Sequence, residues 1–219
     1  MVKRAIAMRA YSLFDRVLIE TDQALRTIYG EAPPSQRPSP AEPIEGDILP
    51  RAAQRLSRRL LRVDHAGEVS AQGLYRGQAL MARDPSVRDR MRHSAEEEND
   101  HLAWCEQRIT ELGSHRSLLG PIWYLGSYVL GAAVGLAGDR WSLGFVNETE
   151  RQVVKHLDDH MQRVAAGDKK SQAVLAHMKI DEAQHADAAV SAGAYELPSV
   201  IKRVMSLLSK VMTRTAFWL

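Results

Sequence analysis

Three features are scarce in this 219-residue sequence: cysteine, an excess of one charge, and the marks of a secretory leader. Cys105 is the only cysteine, so no internal disulfide can form and a reducing compartment is expected. Lys and Arg total 29 while Asp and Glu total 27, so the overall charge gives no case for a nucleic-acid partner. The N-terminal stretch lacks a long apolar run and a small-residue cleavage site, so we expect no secretory signal.

Proline is also scarce, except in one stretch that holds six of the nine prolines, between positions 33 and 50. This clustering predicts an extended, poorly helical linker over residues 31–50. Before it, apolar residues at helical spacing predict an amphipathic helix within residues 1–30. After it, turn residues are sparse, and apolar spacing predicts four long helices, near 51–81, 85–112, 143–166 and 170–192.

Four long helices with short joins, except for one long connection, are the pattern of a helix bundle. The long connection contains an uncharged run over residues 118–138, and a cationic, amphipathic segment follows the bundle at residues 196–219. We therefore predict an all-α fold. It is a ferritin-like four-helix bundle at residues 51–195, with one long hydrophobic crossover and additional amphipathic helices.

The motif Glu-x-x-His occurs twice, once in EEENDH and once in DEAQH. The first pair is Glu98 and His101, and the second is Glu182 and His185. Residues three apart share one face of a helix, so each pair can point at one metal ion.

A lone glutamate precedes each motif at a similar distance. Glu68 lies 30 residues before Glu98, and Glu150 lies 32 residues before Glu182. That is the distance from one point on a helix, around a hairpin, to the same height on the next helix, at about 1.5 Å per residue. The four glutamates are therefore expected to meet at one level of the bundle. By spacing alone, Glu148 is an alternative to Glu150.

Four carboxylates and two neutral imidazoles match two divalent metal ions, because the four negative charges balance the four positive ones. Without metal, burying these carboxylates would be costly. Mixed oxygen and nitrogen ligands without thiolates favour iron or manganese over structural zinc. The alternative is that these are surface glutamates and ordinary polar histidines. We keep that interpretation for Glu96 and Glu97, which we expect to face away from the site.

Four stretches carry a resemblance to a known family: LRVDHAGEVSAQGLYRGQ, EEENDHLAWCE, NETERQVVKHLDDH and DEAQHADAA. With these motifs the chain resembles, over about residues 49–219, the demethoxyubiquinone hydroxylase family of ubiquinone biosynthesis. The resemblance implies a ferritin-like di-iron monooxygenase. Such an enzyme uses O₂ to hydroxylate the ring of a polyprenyl demethoxyquinone, the penultimate step to ubiquinone. It also implies that six residues are the iron ligands and form the catalytic site: Glu68, Glu98, His101, Glu150, Glu182 and His185.

Other residues near the motifs have weaker support. His156 is expected either to contact one of the metal-binding side chains without binding the metal itself or to lie at the bundle surface. His65 is expected to cap or to lie at the surface, the alternative being that it orients Glu68. Tyr75 shares the helix face of Glu68 but is expected to be a core tyrosine. Cys105 is expected to be a small buried hydrophobe. Two aspartates are candidates for holding the histidines from behind: Asp64 and Asp181.

The uncharged run 118–138 is long enough to span a bilayer, and Gly131 and Gly135 form a Gly-x-x-x-Gly pair. However, Pro121 and the glycines break the run, and a single span would separate the two halves of the metal site. We therefore expect a surface that lies in one leaflet or lines a lipid tunnel. Segment 196–219 is expected to join it, the alternative being a packed helix or a dimer contact. The expected location is peripheral, on the cytoplasmic face of the bacterial cell membrane.

The expected partners are a polyprenyl quinone substrate and the membrane surface, with no nucleic acid. A ubiquinone-pathway partner protein and a homo-oligomer are left open. No G-x-G-x-x-G follows a predicted strand, so the electrons come either from NADH, bound without a Rossmann site, or from the substrate. The alternative functions are a ferritin-like iron-handling protein, a rubrerythrin-like peroxidase and a binding module for a pathway partner. The apolar run 118–138 favours the hydroxylase, because a soluble iron store does not need it.

Overall fold

The structure, a computed structural model, describes residues 12–30, 35–46 and 48–219. Within these ranges the chain forms seven α-helices and no strand. Their bounds are α1 Leu13–Tyr29, α2 Arg51–Met81, α3 Pro85–Glu111, α4 Gly120–Ala137, α5 Asp139–Arg163, α6 Lys169–Ser191 and α7 Ser199–Trp218. The all-α prediction is confirmed. The parts of the predictions that concern residues 1–11, 31–34 and 47 lie outside the described residues.

Helices α2, α3, α5 and α6 form the bundle. Short connections join α2 to α3 and α5 to α6, and the helices of each pair pack along each other. Asp84 caps α3, because its side chain accepts a hydrogen bond from the backbone N–H of Ser86, and Pro85 is the first residue of the helix. All four helices contribute apolar side chains to one core cluster, among them Leu61, Trp104, Leu157 and Leu175. This shared core confirms the predicted four-helix bundle.

The uncharged connection forms α4, which lies against α2 through glycines. A Cβ atom at Gly73 or Gly77 of α2 would collide with a backbone carbonyl oxygen of α4. A Cβ at Gly131 of α4 would collide with a backbone carbonyl oxygen of α2, and a Cβ at Gly135 would lie 2.8 Å from the Cβ of Met81. Absent side chains let two helix backbones approach closely. The predicted Gly-x-x-x-Gly pair therefore packs α4 against α2 of the same chain.

A single glycine separates α4 from α5. Gly138 has a φ of +122°, which residues with a side chain rarely adopt, so α4 ends there. Helix α5 then begins at once, at Asp139, four residues before the predicted start near 143.

Helices α4 and α7 lie near each other on α2 and expose large apolar side chains. The backbone N–H of Leu118 donates to the carbonyl of Leu219 (3.0 Å), joining the start of α4 to the end of α7. We call the following exposed residues the apolar surface: Leu118, Ile122, Leu125, Val129, Leu136, Val200, Val204, Leu207, Leu208, Val211 and Trp218. Among the described residues, α4 is the one helix long and apolar enough, by length and composition alone, to cross a membrane.

The described part of the predicted linker, residues 35–46, contains no helix, as its prolines predict, but it packs against the bundle. Ala41 is buried in the core cluster that contains Trp104. Ser35 Oγ donates to Asp100 Oδ1 (2.8 Å), and Arg37 Nε donates to Asp100 Oδ2 (2.6 Å). These contacts fix the segment to α3.

Candidate metal centre

The six predicted ligands converge between the four bundle helices. Helix α2 contributes Glu68, α3 contributes Glu98 and His101, α5 contributes Glu150, and α6 contributes Glu182 and His185. All are buried except His185, which is 11% exposed at its side chain. Four of them can each offer one ligand atom, with these atoms all within 4.8 Å of one another: Glu68, Glu98, His101 and Glu182. The structure thus brings together residues that the sequence places more than 100 positions apart.

Both histidines turn Nδ1 toward the glutamates. His101 Nδ1 lies 2.9 Å from Glu98 Oε2, 3.1 Å from Glu182 Oε1 and 3.8 Å from Glu68 Oε2. His185 Nδ1 lies 3.1 Å from Glu182 Oε2 and 3.5 Å from Glu98 Oε1. Glu98 and Glu182 therefore each face both imidazoles, as carboxylates shared by two neighbouring metal ions would.

The side chains of Glu148 and Glu150 point in different directions. Glu150 is buried and accepts a hydrogen bond from the hydroxyl of Tyr75, a fully buried tyrosine on α2. Glu148 instead lies 3.4 Å from Lys202 of α7, outside the cluster. Tyr75 is a core tyrosine as predicted, and it also holds a carboxylate of the site.

An outer carboxylate lies behind each histidine. His101 Nε2 is 3.0 Å from Asp181 Oδ2, so the expectation that Asp181 holds a histidine from behind is confirmed. His185 Nε2 is 3.0 Å from Glu97 Oε2, so the prediction that Glu97 faces away from the site is wrong. Glu96 is exposed, as expected. A carboxylate behind a ligating imidazole fixes its orientation and tautomer and raises its basicity.

The two outer carboxylates follow one rule. Asp181 directly precedes Glu182, and Glu97 directly precedes Glu98. Each supports the histidine of the opposite helix rather than its own. The signal in the sequence is therefore an acidic pair at the start of both motifs, which reads as Asp/Glu-Glu-x-x-His.

Arg37, in the segment before the bundle, extends this arrangement outward. Its Nη1 donates to Asp181 Oδ2 (2.8 Å), while its Nε is bonded to Asp100. Its guanidinium also lies over the ring of Trp104, 4.8 Å from the centroid. Nothing in the local pattern around Arg37 indicates this role.

Burial and mutual repulsion dominate the titration of the glutamates. Burial raises the pKa of Glu68 well above its usual value, and the negative charge of Glu98 adds to the rise. Burial raises the pKa of Glu150 in the same way, with the charge of Glu182 adding to it. Burial also acts to raise the pKa of Glu182, but hydrogen bonds from the two histidines outweigh burial and lower this pKa.

The pKa values of the two histidines are raised, although burial acts to lower them. Burial acts to lower the pKa of His185, but its hydrogen bond to Glu182 and the charge of Glu98 outweigh this and raise it to about 9. The pKa of His101 is raised well above its usual value, with Glu98 the strongest of the raising influences. Without metal, protons bound to these glutamates and histidines balance the negative charge of the converging carboxylates. Two divalent cations supply the same charge, so metal binding would release protons.

The donor set fits a pair of hard or borderline metal ions. Glu98 Oε1 is buried and makes no hydrogen bond within the described residues, which leaves a lone pair free for an ion. Four carboxylates and two imidazoles suit iron or manganese. Cys105 is buried as predicted, and its Sγ lies 3.7 Å from Met178 Sδ.

The remaining sequence predictions have mixed outcomes. His65 was expected to cap or to lie at the surface, but it is buried inside α2. Burial, with the nearby charge of Arg116, lowers its pKa to about 3. Asp64 and His156 face each other and not the six converging residues. His160 completes this group. It was not predicted, although it lies four residues after His156, the spacing of two histidines on one helix face.

Comparison with known proteins places the chain in a family. The family model described as "Ubiquinone biosynthesis protein COQ7" matches residues 55–216. A protein of Nitrosococcus oceani named 3-demethoxyubiquinol 3-hydroxylase is 56% identical over 211 residues, which cover 96% of this chain and 99% of that protein.

Two further relatives carry the same name. The protein of Ectopseudomonas mendocina is 51% identical over 95% of this chain and 97% of its own length. That of Xanthomonas euvesicatoria pv. vesicatoria is 50% identical over 95% of this chain and 96% of its own length. Because a family model matches most of the chain and these relatives match nearly all of it, the chain belongs to the COQ7 family of ubiquinone biosynthesis proteins.

Proposed function

We propose that this chain hydroxylates the ring of a polyprenyl demethoxyubiquinol, using O₂ and two iron ions, as the penultimate step of ubiquinone biosynthesis. The observation that carries the proposal is the buried cluster of four glutamates and two histidines in a member of this family. The names of its relatives supply the reaction and the substrate class.

The residues that would hold the two ions are Glu68, Glu98, His101, Glu150, Glu182 and His185. The iron pair would supply the redox chemistry that splits O₂ and places one oxygen atom on the ring. The chain itself supplies orientation. Asp181 and Glu97 hold the imidazoles with Nδ1 inward, and Tyr75 holds Glu150. Burial of these groups excludes bulk water, so their charges act strongly on one another.

The shared position of Glu98 and Glu182, each facing both histidines, supports bridging roles for them. Each of these carboxylates already has an oxygen near both imidazoles, so both would be within reach of either ion. The supply of electrons is a separate matter. The relatives are named for a quinol, a reduced ring that carries two electrons, and NADH is the alternative donor.

The apolar surface of α4 and α7 supports a location on the membrane, where a polyprenyl quinone is dissolved. In this proposal the enzyme is peripheral, on the cytoplasmic face of the bacterial cell membrane. Helix α4 then lies in one leaflet, since its glycine face is already packed against α2. A pathway partner protein or a second copy of the chain could cover part of the same surface.

The test is the quinone pool of the native host with this gene deleted, measured by mass spectrometry. Demethoxyubiquinone should accumulate, and the wild-type gene should restore ubiquinone. Glu98→Gln should not restore it, whereas Glu96→Gln should, because Glu96 is exposed on the same helix two residues away. An unchanged quinone pool would remove the hydroxylase proposal and favour iron handling or peroxide chemistry. Full rescue by Glu98→Gln would remove the site assignment.

A further inference from the structure

A second group of side chains that could hold a metal ion lies beside the first. It consists of Asp64 on α2 and His156 and His160 on α5, which can each offer one ligand atom, with these atoms within 4.8 Å of one another. Asp64 precedes Glu68 by one helical turn, so the group is close to the six-residue cluster and shares no residue with it. Neither the proposed hydroxylation nor the resemblance to the family uses these three residues together.

The two histidines are arranged as a chelating pair. His156 and His160 are four residues apart on α5, the spacing by which two histidines on one helix face bind a single ion. Their ring centroids are 3.8 Å apart with the planes tilted by 57°. Two rings this close on one helix face can both turn a nitrogen toward one ion.

Asp64 faces both rings. Its Oδ1 lies 2.8 Å from His160 Nδ1 and 3.5 Å from His156 Nε2. Around a tetrahedral ion with bonds of about 2.0–2.2 Å, neighbouring ligand atoms lie about 3.3–3.6 Å apart, so the His156 separation already fits and His160 Nδ1 would have to move away from Asp64 by about 0.5 Å. His160 Nδ1 also lies 3.1 Å from the other oxygen, Oδ2, and a bound ion would take the place of the proton between this nitrogen and the carboxylate. Within the described residues, Asp64 Oδ1 and His156 Nε2 are buried atoms that make no hydrogen bond.

The charge of Asp64 suits a cation. Burial acts to raise its pKa, but the charge of His160 and the contact with His156 outweigh burial and hold the pKa at about 2. The carboxylate is therefore ionised across the physiological pH range, in a fully buried position where an unpaired negative charge is costly.

A cavity reaches the two histidines of the group. It has a volume of about 330 Å³ and is bordered by α5 and α7, with His156 and His160 in its lining. Arg163 in its wall is paired with Asp159 (3.0 Å). Arg214, also in the wall, would favour water-derived hydroxide or another small anion as the remaining ligand of a bound ion.

We propose that Asp64, His156 and His160 form a mononuclear site for a borderline divalent transition ion such as Co²⁺, Zn²⁺ or Fe²⁺, separate from the di-metal cluster. Two imidazoles and one carboxylate are the protein ligands of open tetrahedral sites, with the fourth position facing the cavity. The proposal stands whether or not the chain is a hydroxylase.

The experiment measures Co²⁺ binding to the full chain by metal analysis after gel filtration and by the visible absorption of bound Co²⁺. Wild type should bind one more ion per chain than His160→Gln and than His156→Gln. His156 is only partly buried, so its replacement tests the site even if His160→Gln does not fold. The matched control is His177→Gln, which replaces an exposed histidine on α6 and should bind as wild type does.

A second background separates the two sites. In a chain carrying Glu98→Gln and Glu182→Gln, one Co²⁺ should remain bound, and it should be lost when His160→Gln is added. The proposal is overturned when wild type and His160→Gln hold the same number of ions. In that case Asp64 and the two histidines are a hydrogen-bonded group only. Loss of all Co²⁺ from the double Glu→Gln chain overturns it equally.

Discussion

The charge of Asp181 should tune the metal affinity of His101, although Asp181 touches no metal itself. Its Oδ2 lies 3.0 Å from His101 Nε2 and 2.8 Å from Arg37 Nη1. The carboxylate thus keeps the Nε2 proton in place and leaves Nδ1 to face the glutamates. It also makes the imidazole a stronger donor.

The substitution Asp181→Asn keeps the size of the side chain and an oxygen that can accept the imidazole proton, but it removes the negative charge. Loss of an outer partner of this kind costs about 10–100-fold in metal affinity, or about 1.4–2.7 kcal/mol. We expect the loss to fall on one of the two ions, because His185 has its own outer carboxylate in Glu97.

The assay is anaerobic titration of the metal-free protein with Fe²⁺, with the affinity of each ion fitted separately. The control is Asp187→Asn, which makes the same change at an exposed position of the same helix. Equal affinities for Asp181→Asn and Asp187→Asn would refute the reasoning that the charge behind His101 matters. Equal weakening of both ions would refute its assignment to one half of the site.

Three further predictions concern packing, pH and the membrane. Gly77→Ala should lower the free energy of unfolding by about 1–3 kcal/mol, because its Cβ meets the backbone of α4. The control is Gly67→Ala in the same helix, where an added Cβ has nothing within 4 Å. It should raise the free energy of unfolding by about 0.5–1 kcal/mol. Urea unfolding that shows no difference between the two variants would contradict the close packing of α2 and α4. Burial lowers the pKa of His65 from 6.5 to about 3, so between these pH values the unfolded chain binds one more proton than the folded chain. The free energy of unfolding is therefore full above pH 6.5 and falls as the pH drops toward 3. The loss in the free energy of unfolding from pH 7 to pH 5 is about 2 kcal/mol, and His65→Gln should remove it. If the variant showed the same pH dependence in urea unfolding as the wild type, this reasoning would be contradicted. The double variant Leu207→Asp, Val211→Asp changes two exposed residues of α7 and should bind phospholipid vesicles less in flotation, with its helical circular dichroism unchanged. Undiminished flotation would argue against the apolar surface as the membrane contact.

The sequence by itself determined the helices and most of the candidate ligands. Apolar periodicity is a local signal, and it located the ends of α2 to the residue and those of α3 to within one residue. Residue spacing along a helix is also local, so Glu-x-x-His and the 30-residue interval were enough to select Glu68, Glu98 and Glu182 as residues that meet.

Only the tertiary structure decided which side chains meet across helices. The rotation and height of one helix against another place Glu150 rather than Glu148 in the cluster, and they bring Glu97 and Asp181 behind histidines of the opposite helix. The same is true of Arg37, whose partners lie 63 and 144 positions further along the chain. These contacts depend on how whole helices pack, and packing is set by side chains from several elements at once. Local periodicity carries no information about it.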